Sequence, residues 1–449
     1  WSPETETLMD SNAGDYFPSF LKLNMIDHLI LYGESDEWLL LHIREGNVGF
    51  RSATSYLGLN NIDLRASWEK DFGGKEGRDL AMAAIAEAGE RKVMSAGIMA
   101  GPKAIFARGG TGAKLGSLKI KGIVVQGLVT LNPEGFHNDR IKPTNRDIAK
   151  KVLSTSVIKN ALKIRGTPFL YKPSRILGAM GTKNNQETTW TESLDAENFD
   201  RYRSEMTGCF RCPVDCRPVN DLGESGKGDK YDRGDGPEYV TLGKFGPNLA
   251  IEHPEEVIRL NNICNDLGLD TASAGASIAW ATELYQRGII DARTTGGIRL
   301  EWGNAALAER LLQMTAKREG FGDILADSAA AVRTGKYPAE ALKYRMAVKG
   351  LFQSDPHDAR ILKAFALGLG VSTRGMDHLR NRATLEINAK INDDPAYKRE
   401  LYGGAVSGEP DSYDGKEIAV RACENIFGVG DSIGMCRFTT KLFNSPNLL

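Results

Sequence analysis

Three cysteines stand close together near the middle of the chain, in the segment Cys209-Phe210-Arg211-Cys212-Pro213-Val214-Asp215-Cys216. A Cys-x2-Cys-x3-Cys run places three thiolates on one tight turn, as iron–sulfur clusters and zinc sites both require. Either centre takes a fourth ligand, and the best candidate is Cys436, on a glycine-containing turn far along the chain. We therefore predict a metal centre that ties two distant segments together, with the ligands Cys209, Cys212, Cys216 and Cys436.

Structural zinc is the main alternative to an iron–sulfur cluster at these cysteines. Four-cysteine zinc sites commonly bring two Cys-x2-Cys pairs, whereas this chain has one triplet and one isolated cysteine. Packing of the thiols as small hydrophobic side chains is the second alternative. The close repetition of cysteines beside a proline argues against it. Cys264 and Cys423 lie outside the motif, and we predict that both are core residues.

Length and composition narrow the class of protein. The chain has 449 residues, enough for two or three domains. Its 57 basic and 58 acidic side chains balance, so no basic excess indicates a nucleic-acid partner. The sequence contains no apolar run of membrane-spanning length and no signal peptide. The clustered cysteines favour a reducing compartment, and we expect a cytoplasmic location.

A glycine-rich loop, Arg108-Gly109-Gly110-Thr111-Gly112-Ala113, leads into an apolar strand near residue 120. Its glycines leave backbone N–H groups uncovered and Arg108 adds positive charge, so the loop has the composition of a phosphate site. It lacks the Gly-Lys-Ser/Thr ending of a Walker loop. A purely structural turn is an equal alternative.

Apolar patterns predict the elements that position these motifs. Residues 29–33, 38–43 and 48–50 read as antiparallel strands, and residues 79–92 are Ala-rich and favour a helix by propensity. The polar, proline-containing stretch 128–203 predicts a linker into a second domain. Helices follow, and their predicted bounds are 254–267 before Gly268, 271–287 after an Asp270 cap, 305–318 and 323–333.

Two turns share the form Asx-x-x-Gly-apolar-Asp/Cys, at residues 265–270 and 431–436. In each, a helix is predicted to end at a glycine, which frees backbone groups next to an acidic or amide side chain. Two such turns can hold two similar halves of one ligand that carries amino and amide groups. Two unrelated helix ends are the alternative.

The motifs together resemble the aldehyde ferredoxin oxidoreductase family of tungsten enzymes. The resemblance covers most of the chain from about Gly33 onward, and its motifs occur in the family's order. The family's amino-terminal stretch and its region beyond the last cysteine have no counterpart here, so we expect that sequence is missing at both ends. The matching segments are the Arg108 loop, the cysteine run, Gly236-Pro237-Glu238-Tyr239, both Asx turns, Ser372-Thr373-Arg374-Gly375, His378-Leu379-Arg380 and Cys436.

The resemblance implies an α+β fold in which a β-rich amino-terminal domain, residues 1–133, precedes two mainly helical domains, 134–340 and 341–449, with the cofactor at their junction. It implies tungsten or molybdenum held by two pyranopterins, a [4Fe-4S] cluster on the four cysteines, and magnesium bridging the pterin phosphates. It also implies a strand followed by a turn at residues 79–92, where propensity favours a helix. The pterin-binding residues it implies are Arg108, Gly109, Gly110, Gly112, Asn265, Gly268, Leu269, Asp270, Asp431 and Gly434.

The activity that the resemblance implies is oxidation of aldehydes to carboxylic acids, with electrons passed to ferredoxin or an iron–sulfur subunit, in a chain that forms homo-oligomers. His378 and Glu238 would be the catalytic acid–base groups. One position departs from the family: a second glutamate that follows the Gly-Pro-Glu-Tyr motif is here Val240, which cannot carry protons. Either Glu238 substitutes for it, or the enzyme is a related reductase of an aromatic acyl-thioester. A zinc-stapled structural or interaction protein is the alternative from another class.

Overall fold

A six-stranded mixed sheet forms the amino-terminal part of the chain. The computed structural model describes residues 1–102, 104–127, 141–383 and 385–439. The strands of this part are β1 (Leu39–Arg44), β2 (Asn47–Ser52), β3 (Leu80–Ala84), β4 (Ile98–Met99), β5 (Ile105–Phe106) and β6 (Ile120–Gln126). Its helices are α1 (Phe17–Leu23), α2 (Asn61–Phe72), α3 (Glu87–Glu90) and α4 (Thr111–Ser117).

Both faces of this sheet are covered. Its strand order is β2-β1-β6-β3-β4-β5, in which β1 and β6 are parallel and the other neighbours are antiparallel. Alternate residues of β3 point to opposite faces: Ala81 and Ala83 pack with Phe20 of α1, whereas Leu80 and Met82 pack with Trp68 of α2. All five residues of β3 are therefore buried.

The strands predicted at 38–43 and 48–50 are confirmed as the β1–β2 hairpin. The strand predicted at 29–33 is wrong, because β1 already pairs with β2 and β6 on its two edges and leaves Ile30 and Tyr32 exposed. The helix favoured at 79–92 is also wrong. Sheet pairing with β6 overrides alanine propensity there, and strand β3 followed by the single turn of α3 agrees with the family resemblance.

The second part begins with short helices and a small antiparallel sheet whose order is β7-β8-β9. The linker predicted at 128–203 is wrong from residue 141 onward, because helices occupy much of that stretch; residues 128–140 lie outside the described residues. The cysteine run connects β7 to β8. The elements are α5 (Ile141–Ser154), α6 (Lys163–Arg165), α7 (Tyr171–Ile176), β7 (Arg203–Thr207), β8 (Arg217–Asp221) and β9 (Arg233–Asp235).

Six helices follow, and those predicted at 254–267, 271–287 and 305–318 are confirmed. They are α8 (Tyr239–Phe245), α9 (Pro254–Leu267), α10 (Thr271–Gln286), α11 (Ala305–Lys317), α12 (Phe321–Ala326) and α13 (Ser328–Arg333). Helix α9 ends at Gly268 in the left-handed conformation, and the Asp270 carboxylate caps α10 by accepting from two backbone N–H groups. The helix predicted at 323–333 breaks at Asp327, whose side chain caps α13.

The last part is mainly helical and has its own small core around Ala364, Leu385 and Cys423. Its elements are β10 (Ala347–Val348), β11 (Leu351–Phe352), α14 (Lys363–Val371), α15 (Ala389–Asn392), α16 (Pro395–Tyr402) and α17 (Lys416–Ser432). The predicted α+β class is thus confirmed: a β-rich part precedes a mainly helical one. Among the described residues, no helix has both the length and the apolarity to cross a membrane.

Candidate cofactor site

The cysteine run forms a tight turn that approaches Cys436. Cys212 N–H donates to the Cys209 carbonyl at 2.9 Å, and Arg211 and Asp215 adopt positive φ angles of 56° and 49°. Cys436 follows α17 and is partly exposed at the surface, yet its thiol is densely surrounded. Burial and the nearby Cys209 and Cys212 thiols raise the pKa of Cys436 to about 11. Cys436 therefore lies close to the cysteine turn, although more than half of the described residues separate the two in sequence.

Two basic side chains lie near these thiols, and each of them also pairs with a carboxylate. Arg217 lies within electrostatic range of Cys209, and Lys163 donates to the Pro213 carbonyl at 3.2 Å. Across the described ranges, no three His, Cys, Asp or Glu side chains converge on a point that one metal ion could occupy. In a cubane cluster each cysteine binds a different iron, so four thiols around a shared volume, rather than at one point, are the donor set it needs.

The glycine loop packs closely against its neighbours. A Cβ on Gly112 would lie 2.4 Å from the Gly97 carbonyl oxygen, so close packing requires glycine there. Gly112 N–H donates to Ala96 at 2.9 Å, and Gly109 N–H donates to the Glu4 carboxylate at 3.2 Å. Both N–H groups thus have protein acceptors in this structure. Gly110, in the left-handed conformation, is the residue before α4.

Arg108 connects three parts of the chain. Its buried guanidinium donates to Asp270 at 2.9 Å, to Asp377 at 3.2 Å and to the carbonyl oxygens of Met376, at 3.3 Å, and Phe352. Burial alone would lower the pKa of Arg108, and the charges of Asp270 and Asp377 raise it instead. The arginine predicted to face a phosphate therefore lies at the junction and holds two buried carboxylates.

The first Asx turn docks on the amino-terminal part. Gly97 N–H donates to the Gly268 carbonyl at 2.9 Å, and Asp270 N–H donates to Ser95 at 2.8 Å. Leu269 is fully buried. Asn265 makes a weaker contact with the Asp235 carbonyl, at 3.5 Å, through its side-chain amide. Gly268, Leu269 and Asp270 thus lie close to Arg108 and to the glycine loop.

The second Asx turn lies among arginines. Asp431 accepts from Arg380 at 2.8 Å and from Arg437 at 2.5 Å, and Gly434 has a φ of 70° at the exposed end of α17. Contacts between opposite charges link this turn to the first one, in the order Asp270, Arg108, Asp377, Arg374, Asp10, Arg380 and Asp431. The two turns therefore border one charged junction.

This junction has unused hydrogen-bonding capacity. The Nε atoms of Arg374 and Arg380 are buried and have no hydrogen-bond acceptor among the described residues. A buried guanidinium nitrogen without an acceptor is costly. Oxygen-rich groups such as pterin carbonyls and phosphates would supply acceptors, so the residues present fit a bound pterin.

The two predicted catalytic residues have different surroundings. His378 Nδ1 lies 2.8 Å from Ser354 Oγ, and burial lowers the pKa of His378 to about 4 despite the charges of Asp355 and Asp377. The imidazole is therefore neutral near pH 7. Glu238 precedes α8 and accepts a hydrogen bond from the Thr167 hydroxyl.

A buried polar chain that the sequence did not single out lies beside His378. Asp355 contacts His357 Nδ1, His357 Nε2 lies 3.0 Å from Ser174 Oγ, and the Tyr239 hydroxyl donates to Ser174 at 2.9 Å. Asp355 and His357 are fully buried. Burial would raise the pKa of Asp355, but the charges of His357 and Arg382 hold it well below its usual range. In the sequence, Tyr239 belongs to the Gly-Pro-Glu-Tyr motif, whereas Asp355 and His357 lie in the segment Asp355-Pro356-His357-Asp358, to which we assigned no role.

The amino-terminal segment, residues 1–16, was also missed, and no sequence signal marked it. Glu4 accepts from Ser273 at 2.9 Å, Asp10 pairs with Arg374 at 2.6 Å, and Asp15 pairs with Arg217 at 2.7 Å. This segment therefore runs along the whole junction, from the first turn to the cysteines.

Comparison with known proteins identifies the fold and the family. The active-site complex BamBC of benzoyl coenzyme A reductase has the same fold, with a TM-score of 0.73 at 22% identity over 97% of this chain and 69% of that one. The profile "Aldehyde ferredoxin oxidoreductase, N-terminal domain" matches residues 1–127, and the profile for domains 2 and 3 matches residues 144–448. The chain belongs to the aldehyde ferredoxin oxidoreductase family, and the resemblance drawn from its motifs is confirmed.

Relatives within the family carry descriptive names. The chain is 30% identical over 448 residues to a tungsten-containing aldehyde ferredoxin oxidoreductase of Pyrococcus horikoshii, and 28% identical over 443 residues to one of Pyrococcus furiosus. Each match covers 98% of this chain and 69% of the relative. It is also 28% identical to an aliphatic sulfonate oxidoreductase, WOR-like subunit, of Pyrococcus furiosus, over 85% of this chain and 63% of that protein. The family is one of oxidoreductases.

Proposed function

We propose that the chain is a tungsten- or molybdenum-dependent oxidoreductase that oxidises an aldehyde to a carboxylic acid and passes the electrons through a [4Fe-4S] cluster to ferredoxin. The observation that carries this proposal is the charged junction, which links both Asx turns through Arg108. Family membership and the names of the Pyrococcus relatives support it.

Residues of this chain would hold each group. Cys209, Cys212, Cys216 and Cys436 would ligate the cluster. Arg108, the first turn at 265–270, the second turn at 431–434 and the glycine loop would hold two pterins, and a magnesium ion would offset the charge of the pterin phosphates. When bound, the metal would accept two electrons from the substrate and the cluster would release them singly.

His378 is proposed as the base that takes a proton from the reacting water or substrate. Its low pKa keeps the ring neutral and able to accept a proton near pH 7. Ser354 engages Nδ1, which fixes the ring and leaves Nε2 for the substrate. The carboxylates of Asp355 and Asp377 would stabilise the imidazolium that forms.

Val240 favours a second candidate, a related reductase of an aromatic acyl-thioester. Val240 is half-buried on α8, where the resemblance places a glutamate near the metal. Either Glu238 supplies the proton in its place, or the reaction does not need that carboxylate.

Turnover by the anaerobically purified holoenzyme tests the proposal. With aliphatic and aromatic aldehydes and oxidised ferredoxin, we expect carboxylate formation coupled to reduction of the acceptor. If Glu238 acts as the acid, Val240→Glu leaves this rate unchanged or lowers it, because it adds a charge at a half-buried position. An enzyme that reduces acyl-thioesters and oxidises no aldehyde would contradict the first candidate, and Val240→Glu should then create aldehyde oxidation.

A further inference from the structure

Lys244 on α8 is a buried lysine at the charged junction. Only 3% of the residue is exposed. The charged groups within its electrostatic range are Arg108 from the glycine loop, Asp270 from the first turn and Asp355 from the buried polar chain. Helix α10 packs directly against it, since a Cβ on Gly275 would lie 3.0 Å from the Cβ of Lys244. The ammonium group therefore lies in the same region as the proposed cofactor and substrate.

The carboxylates near Lys244 are already engaged. Asp270 accepts from Arg108 and caps α10, and Asp355 pairs with His357 and Arg382. In the part of the chain that the structure describes, Lys244 Nζ forms no hydrogen bond or ion pair. It is not among the side-chain nitrogens that are fully enclosed without a partner, so it keeps a small accessible surface. A deeply buried ammonium without an ion pair of its own is unfavourable. Burial and the Arg108 charge accordingly lower the pKa of Lys244 to about 7, although Asp355 and Asp270 act in the opposite direction.

Two other buried lysines show the usual arrangement in this protein. Lys121 is fully buried and pairs with Glu90, and Lys416 is fully buried and pairs with Glu386 at 2.9 Å. Each carries its own carboxylate, as buried charges normally do. Lys244 has no such carboxylate partner, so we expect a bound molecule to supply the anion that pairs with it.

The exposed side of α8 indicates where that molecule lies. Six of the seven residues of α8 are buried, and Val240 is the half-buried exception. Residues four apart share a helix face, so Lys244 lies on the same side of α8 as Val240, one turn further along. Protein atoms do not fully cover that side. The acidic side chain that the resemblance places at position 240 is absent here, and a basic one follows a turn later.

We propose that Lys244 is a specificity-determining residue that binds an anionic group of the substrate, a carboxylate or sulfonate, while the aldehyde end reacts. This inference rests on the proposed oxidoreductase function and names its substrate class. A charge-assisted hydrogen bond between ammonium and oxyanion is strong in a site of low dielectric constant. A neutral aldehyde of the same size leaves the ammonium unpaired, so the site discriminates against it.

Matched substrates test this proposal with the holoenzyme. Succinate semialdehyde is compared with butyraldehyde, and sulfoacetaldehyde with propionaldehyde. In at least one pair we expect kcat/KM to favour the anionic aldehyde by roughly 10²-fold, a typical effect of one buried charge pair. Lys244→Met should remove the preference and Lys244→Arg should retain part of it. Lys150→Met, which removes a charge from an exposed position of α5, should not change it.

The pH dependence gives a second readout. The anion needs the protonated amine, so we expect the preference to fall by about tenfold for each pH unit above the pKa of Lys244, near 7. Calorimetry of succinate binding to the holoenzyme should show the same trend without turnover. In Lys244→Met, succinate affinity should be weak and independent of pH.

Three results would overturn the proposal. Wild-type enzyme with full metal content that shows no preference in either pair would exclude an anionic substrate and leave the proposed function intact. Loss of metal and pterin in both Lys244→Met and Lys244→Gln would assign the lysine to a cofactor phosphate instead. Succinate binding that Lys244→Met does not weaken would exclude the contact, whether or not the protein contains tungsten or molybdenum. Absence of both metals from the purified protein is a different result, and it would contradict the proposed function itself.

Discussion

Replacement of Arg108 by methionine tests the junction on which the site depends. The variant removes the Arg108 guanidinium from two buried carboxylates, Asp270 with 5% and Asp377 with 1% of the side chain exposed, and Asp377 keeps only its contact with Arg374. Breaking a buried ion pair on one side costs about 3–5 kcal/mol. We expect urea unfolding followed by circular dichroism to give a loss of that size. Arg108→Lys, which keeps the charge but not the forked geometry, should fall in between.

The pH dependence of stability makes this prediction sharper. Although burial opposes it, Arg108 and Arg374 lower the pKa of Asp377 from 3.8 to about 2. A carboxyl with a lowered pKa stabilises the fold above pH 4, and this contribution, about 2 kcal/mol, is lost as the pH falls from 4 to 2. Part of that loss should disappear in Arg108→Met, because Arg374 still acts on Asp377. The exposed Arg293, which pairs with Asp291, provides the control, and Arg293→Met should behave as wild type. An Arg108→Met protein as stable as this control would refute the reasoning.

Two further predictions concern the cluster and the base. Cys436→Ala should lose iron and sulfide together with stability, because ligation couples distant segments. The control variant Cys423→Ala, in the core, should keep its iron. Equal iron content in both variants would exclude Cys436 as a ligand. His378→Ala should lower turnover by roughly 10² to 10⁴ with unchanged metal content, and wild-type turnover should decline as the pH falls through about 4, where the imidazole becomes protonated; turnover that this substitution leaves unchanged would remove His378 from the mechanism.

The sequence predicted those parts of the site that depend on local chemistry. Gly268 and Asp270 carry the signals for the end of α9 and the cap of α10, and both elements form where these signals place them. The partnership of Cys436 with the cysteine turn was inferred from ligand count, and the two segments approach each other. In these cases a residue type determines a nearby backbone conformation or a specific bond.

Contacts between distant segments could not be predicted. Residues 79–84 have helical propensity, and pairing with β6 decides their conformation. Asp10 has an ordinary polar context in sequence, and its role follows from arginines more than three hundred residues away. Lys244 was not singled out in the sequence, and its burial follows from packing against α10 near Arg108. Each of these outcomes is determined by tertiary packing.

Metal and pterin analysis of the anaerobically purified protein tests the central claim most directly. A tungsten- or molybdenum-dependent oxidoreductase with a [4Fe-4S] cluster should contain about one tungsten or molybdenum and about four iron atoms per chain. It should also release a fluorescent pterin after oxidation. About one zinc per chain, with no iron and no pterin, would contradict the account and identify the four cysteines as a structural zinc site.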